Sequence, residues 1–374
     1  MCSDGIPVLR SNNIKNRRIC TDGLIRVKTH ILPKQFIGKG DLLICARNGS
    51  RNLVGKCALI EQDEEPMSFG AFMAVCRSAF NRWIFLILNS SYFNQYLDNS
   101  NSTAINQVTQ SMLLSFNIPL PPKNEQARIY SMVERLCSCV DELEKHEQVV
   151  LAKINDSRKR ILELAIHGKL VPQDPTEEPA IELLKRINPA FEPSHNLHYE
   201  ECLPSGWVYA TLGEISDYGH CVSVSTDEIA ETEWVLELED IEKDTGRLLK
   251  KVIKSERAIS GSRHVFYKGQ VLYSKLRTYL NKVFVAEDCG FCTTEIIPIT
   301  PKDGITAEYL NMYLRSPLFL AYTEQCGYGV KMPRLGTSDA RKAIVPVPPT
   351  MEQHRIVTVT KQLFAQIDAL ADNL

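Results

Sequence analysis

The sequence predicts an α+β fold, two repeated modules separated by long coiled-coil-like helices packed antiparallel. Three observations carry that prediction: a long internal repeat, short β-branched runs within each copy, and a change to heptad spacing after each copy ends. Ile118-Pro119-Leu120-Pro121-Pro122 with Glu125-Gln126 recurs as Val345-Pro346-Val347-Pro348-Pro349 with Glu352-Gln353. In the same register Val8-Leu9 meets Val235-Leu236 and Asn13-Ile14 meets Asp240-Ile241, while Lys39-Gly40-Asp41-Leu42-Leu43 matches Lys268-Gly269-Gln270-Val271-Leu272 two residues out of step. A repeat this long is a domain with its connecting helix, not a solenoid unit. The second copy opens with Leu203-Pro204-Ser205-Gly206-Trp207 and Leu212-Gly213-Glu214-Ile215, for which the first copy has no equivalent. The first module is therefore expected to lack its opening segment.

Within each copy, Asp41–Ala46, Gly55–Ile60, Gln270–Ser274, Lys282–Val285 and Glu295–Ile299 are short apolar runs bounded by turn residues, which predicts strands. Arg82–Leu88 and Ala307–Leu314 predict helices, with Pro317 starting the next one. Past Pro121-Pro122, apolar residues fall at Ile129, Val133, Leu136, Val140, Leu143, Val150, Ile154, Ile161 and Leu164, a 4-3 spacing that predicts a helix with a coiled-coil seam. From Glu125 to His167 it spans roughly 65 Å at about 1.5 Å per residue. Lys123–Gln126 offers its N-cap, and Gly168 with Pro172, Pro175 and Pro179 ends it. Ile356, Leu363, Ile367 and Leu370 repeat the spacing on a shorter helix, the natural antiparallel partner. The boundaries expected are 1–122 for the first module, 123–170 for the spacer helix, 171–202 for a linker, 203–349 for the second module and 350–374 for the distal helix.

Composition excludes several classes. With 44% apolar and 24% charged residues the chain is neither disordered nor fibrous. A formal net charge of -2 leaves nucleic-acid binding to local basic surface. No apolar run approaches the roughly 18 residues of a membrane helix, and no secretory signal opens the chain. The twelve cysteines sit mostly in apolar runs, and Cys289 and Cys292 form a C-x-x-C with no second pair to complete a zinc site. A reduced, cytoplasmic setting is expected. No phosphate-binding glycine loop or methyltransferase loop is present, and nothing pairs carboxylates for metal-assisted chemistry.

The junction Ile118–Pro122, Asn124-Glu125-Gln126 and Ile129, its repeat at Glu352-Gln353 and Ile356, the segment Ala165-Ile166-His167-Gly168-Lys169-Leu170-Val171-Pro172-Gln173, and the opening Leu203–Trp207 together resemble the specificity subunits of type I restriction–modification systems. The resemblance covers essentially the whole chain. It implies two target recognition domains, each reading one half of a bipartite site in double-stranded DNA, with the helices setting the gap. It implies docking of two methyltransferase subunits and of restriction subunits, which use S-adenosylmethionine, ATP and Mg2+. It also implies a non-catalytic chain that holds no cofactor itself. The alternative is a protein-interaction scaffold that retains partners and has lost specific DNA reading.

Loops that combine guanidinium, amide and glycine groups suit base edges and phosphates. Arg47, Asn48 and Arg51 lie in such a loop of the first copy, and Lys275, Arg277, Tyr279 and Lys282 occupy the corresponding place in the second. A further pair of loops carries Asn106 and Gln107 in the first copy, and Lys331 and Arg334 in the second.

Overall fold

The computed structural model describes residues 5–61, 65–100, 107–194, 203–329 and 332–373. The chain divides into two compact units, Met1–Glu144 and Lys145–Leu374.

In the first unit the strand Leu42–Cys45 is buried at every position. It pairs antiparallel with Cys57–Leu59 on one side and Met73–Cys76 on the other. Side chains alternate across a strand, so a strand covered on both faces must be apolar at both parities. Leu43 and Cys45 pack with Leu9, Ile14 and Ile37. Leu42 and Ile44 pack with Phe85, Leu88 and Phe93, from the helices Asn81–Leu88 and Ser91–Ser100. A second sheet runs Ile25–Val27, Ile6–Leu9, Met67–Phe69, Phe36–Ile37, and its central pair is parallel.

The second unit repeats this plan. Val271–Ser274 pairs with Val283–Val285 and Ile296–Ile299. Its Leu272 faces Trp234, Phe266 and Ile296. Val271 and Tyr273 face Leu310, Tyr313 and Phe319. The parallel pair recurs between Val235–Leu236 and Gly290–Thr293. Residues aligned by the sequence repeat also share duties. Asn13 accepts from the Arg10 amide at 3.0 Å, and Asp240 accepts from the Glu237 amide at 2.9 Å. Gly40 and Gly269 both hold positive φ, 88° and 85°, and donate to Ile60 and Ala286. Nothing crowds either glycine, so the left-handed backbone and not space is what requires them. Ser316 caps the helix Pro317–Cys326, which Pro317 opens as expected.

Three elements of the second unit have no counterpart described in the first. The strand Val208–Thr211 pairs antiparallel with Ile344–Val347, the short helix Leu212–Ile215 follows it, and Ser223–Ser225 edges the other sheet. Conversely, Ile118–Leu120, strand-like in sequence, forms no strand. The stretch read as a linker is largely structured. Its helix Ala180–Ile187 buries Ala180, Leu183 and Leu184 in the main core of the second unit, together with Phe191.

The central helix runs Lys123–Ile166, so Asn124 lies inside its first turn and not at a cap. Gln126 donates back to the Pro121 carbonyl at 2.7 Å instead. The helix ends as its sequence predicts: Gly168 takes φ +64°, its amide donates to Ala165 and the Lys169 amide to Leu164, a Schellman motif. The distal helix covers Thr350–Ala371. Arg158 pairs with Asp368, while Leu162 and Ala165 share a buried cluster with Ile356 and Val357. Residue numbers rise along one helix as they fall along the other, so this contact is antiparallel.

The seam departs from strict heptads. Ile129 and Val133 are half-buried, and Leu136, Val140, Leu143 and Val150 are exposed. Ile154 is buried, but further on Leu162 and Ala165 are buried while Ile161 and Leu164 are only half-buried. A straight α-helix drifts by about 20° per heptad, which over four to five heptads amounts to roughly one residue. On the distal helix Ile356 is buried, Leu363 and Ile367 are half-buried and Leu370 is exposed.

Glu352 is buried at the start of that helix, and loss of hydration pushes its carboxyl above the ordinary 4.5, with the Gln173 hydrogen bond opposing. A carboxyl raised on folding binds more protons in the native state. Its contribution to stability is therefore greatest below pH 4.5 and is lost as pH rises through the folded value. Glu352→Gln should leave the melting temperature at pH 7 unchanged or higher and flatten its decline between mildly acidic and neutral pH. A melting temperature that falls at pH 7 would show that the charge itself stabilises the unit.

Candidate nucleic-acid interface

In each unit the structure brings the two predicted loops together at the end of the three-stranded sheet. In the first, Arg47 forms an isolated antiparallel bridge with Gln107, and the Val108 amide donates to Ala46 at 2.7 Å. In the second, Leu276 bridges Arg334, and the Arg277 amide donates to Pro333 at 2.7 Å. The same strand end thus meets the same returning loop twice. Asn106 and Lys331 lie outside the described residues.

The predicted side chains divide by what already occupies them. Arg51 pairs with Asp98 at 2.7 Å and also reaches the Leu97 carbonyl. Asn48 donates to the Ser11 hydroxyl at 3.0 Å and accepts from the Ser50 amide, which shapes the turn. Lys282 donates to the Leu238 carbonyl at 2.6 Å, and burial pulls its ammonium below the usual lysine range. Arg334 forms a two-pronged pair with Glu295, at 2.8 and 3.2 Å. These four hold the loops in shape. Lys275 contributes its backbone, donating to Glu295 and accepting from Leu335.

Arg47 and Arg277 remain on the outside. Arg47 is exposed, with its guanidinium 5.8 Å from the Phe72 ring centre. Arg277 is exposed at a left-handed backbone position, φ +52°, and has no acidic partner among the described residues. Around these arginines stand rings that the sequence reading passed over or only half used: Phe72, Tyr279 and Tyr328 are 62%, 53% and 60% exposed. An exposed guanidinium among exposed rings offers a hydrogen-bonding fork for a base edge together with faces for stacking. Phe72 sits in a turn and Tyr328 on the returning loop, bridged to Arg334, and both rings face outward.

Arg17 and Arg18, with Lys15, form a small basic cluster in the sequence of the first module. Arg17 and Arg18 reach Asp141 at 3.9 and 3.8 Å, and Arg17 also donates to the Cys137 sulfur. Among the described residues no cluster of His, Cys, Asp and Glu could hold a metal ion, and no helix is long and apolar enough to cross a membrane.

Comparison with known proteins agrees with the duplicated plan. The type I restriction modification DNA specificity domain matches residues 3–153 and again residues 204–373. The chain is 24% identical, over 73% of its length, to the EcoDI type I restriction enzyme specificity subunit of Escherichia coli, and spans 60% of that relative. It is 24% identical over 98% of its length to the EcoKI specificity subunit of Escherichia coli strain K12, spanning 77% of it. A chain from a solved structure of type I R-M complex assembly and conformational transition shares the fold, with a TM-score of 0.67 at 20% identity over 98% of this chain and 86% of that one. One match falls on each copy of the module, and together they cover most of the sequence: the chain belongs to the type I restriction modification DNA specificity family.

Proposed function

We propose that this chain is the non-catalytic DNA-reading subunit of a type I restriction–modification complex, each module reading one half of a bipartite duplex site. The observation that carries the proposal is the twice-built loop pair, Arg47 against Gln107 and Arg277 beside Pro333, each with an exposed arginine near exposed rings. Recognition domains would then lie within 1–122 and 203–349, joined through the helix at 123–166. Two methyltransferase subunits would dock along the helices, and restriction subunits would join them. These partners, in the cytoplasm, would supply the S-adenosylmethionine, ATP and Mg2+ chemistry.

The test is co-expression with a methyltransferase subunit, followed by titration of the purified complex with duplexes at fixed salt. Scrambling either half-site should weaken binding by at least about a thousandfold, since specific binding commonly exceeds non-specific by that much. Equal affinity for intact and half-scrambled duplexes by a complex that still forms would reject DNA reading and leave the scaffold alternative.

A further inference from the structure

We infer that the first module reads a G·C pair stacked directly on an A·T pair, with Arg47 on the guanine and Gln107 on the adenine. This rests on the reading above that the modules bind duplex DNA, and goes further by naming the bases. The strand end at Arg47 and the returning loop at Gln107 form a two-stranded ribbon one bridge long, closed by the Val108 amide donating to the Ala46 carbonyl at 2.7 Å. A two-stranded ribbon fits the major groove, where each base pair shows its own pattern of donors and acceptors.

Residues opposite each other across an antiparallel bridge lie on one face, with Cβ atoms about 4.5–5.5 Å apart. Successive base pairs lie about 3.4 Å apart along the duplex, so two long side chains rooted at one bridge reach adjacent pairs. Their ends carry different codes. A guanidinium donates twice, to guanine O6 and N7, while a primary amide donates to adenine N7 and accepts from its N6 amino group. Neither end is occupied among the described residues. Arg47 is exposed and has only the Phe72 ring 5.8 Å away, and the Gln107 amide is neither hydrogen-bonded nor fully buried. The backbone beneath them is fixed: the Arg47 amide donates to Phe72 at 3.1 Å, and Thr109, two residues past Gln107, accepts from the Met112 amide at 3.2 Å. Phosphate contacts carry no sequence information. The Gln107 amide also supplies an acceptor, which a phosphate cannot use and an adenine amino group can.

The second module builds the same bridge from other side chains. Leu276 stands opposite Arg334, whose guanidinium is tied to Glu295 at 2.8 and 3.2 Å. Leu276 is half-buried and offers no hydrogen-bonding group. The guanine–adenine reading is therefore confined to one half-site, and the other half-site serves as the control for fold and assembly.

The test uses the full chain in complex with the co-expressed methyltransferase subunit, and begins with selection of its target from random duplexes. The half-site that Arg47→Ala disturbs should hold a G·C pair next to an A·T pair. Replacing that guanine by 7-deazaguanine, or that adenine by 7-deazaadenine, removes one acceptor and leaves base pairing intact. Each analogue should weaken binding of the unaltered complex at least about fivefold. The first should cost nothing further in Arg47→Ala, and the second nothing further in Gln107→Ala. Gln107→Arg should turn the preference at the second pair from A·T to G·C, and the other half-site should keep its preference in every variant. The inference is overturned if Arg47→Ala disturbs neither half-site, if the disturbed half-site lacks the two adjacent pairs, if the analogues weaken the alanine variants as much as the unaltered complex, or if Gln107→Arg still prefers A·T. It is also overturned if Arg47→Ala weakens all sequences evenly with a shallower salt dependence, which places Arg47 on phosphate. Those outcomes leave bipartite reading standing, whereas a complex with no preference in either half-site overturns both.

Discussion

Ile356→Ala should destabilise the second unit by about 2–5 kcal/mol, the cost of emptying a buried aliphatic site whose walls cannot collapse. Ile356 is fully buried where the distal helix meets the end of the central one, among Leu162, Ala165, Trp207 and Tyr309. Those walls belong to several elements that are themselves pinned. Gln353, one turn earlier, accepts from the Thr306 amide at 2.9 Å and donates to Gly304 and Pro348. Tyr309 is tied to Pro346. The cavity left by alanine would therefore persist. Leu370, at the other end of the same predicted seam and 64% exposed, should tolerate alanine within about 0.5 kcal/mol. Urea unfolding of the two variants, followed by circular dichroism, measures the difference. Equal losses would mean that the helices are held by a uniform coiled-coil seam, whereas the structure localises their grip near Ile356.

That contrast marks how far the sequence could be read. The repeat predicted paired units, because residues with backbone duties, such as Gly40 and Gly269 or Asn13 and Asp240, must stay in register for the turns to close. The central strands were legible because burial on both faces leaves a continuous apolar run. The seam was legible as a stripe, but its slip to Leu162 and Ala165 comes from helix geometry accumulating over many residues and from what packs there. The helix at Ala180–Ile187 was missed because the prolines before it suggested a linker.

The site was less legible than the fold for a related reason. The candidate loops followed from their equivalent placement, and the structure joins them in pairs. Which side chains stay available depends on partners far away in sequence: Asp98 for Arg51, Glu295 for Arg334 and the Leu238 carbonyl for Lys282. A charged loop read alone cannot show that its cations are already spoken for. Phe72 comes from a turn outside the candidate loops, whereas Tyr328 lies in the loop of Arg334 and is bridged to it.

The base-reading role proposed for Arg277 can be tested without loss of the fold. Its backbone sits in the left-handed region, φ +52°, which costs a non-glycine residue roughly 1–2 kcal/mol. The conformation is held by its amide bonding to Pro333 at 2.7 Å and by its carbonyl accepting from Leu280 at 2.8 Å. Glycine would adopt this geometry more readily, so Arg277→Gly should leave stability unchanged or higher while removing the guanidinium. In the assembled complex that change should cost about 1–3 kcal/mol of discrimination at one base pair of one half-site, roughly 5- to 150-fold, and leave the other half-site untouched. Arg277→Lys separates the two kinds of contact. Lysine keeps the charge but not the planar fork, so a phosphate contact would survive it with the salt dependence intact, and bidentate reading of a base would not. Loss of discrimination in both variants, with the salt slope retained in the lysine variant, is the expected result. An unchanged base preference in Arg277→Gly would remove this loop from the recognition surface.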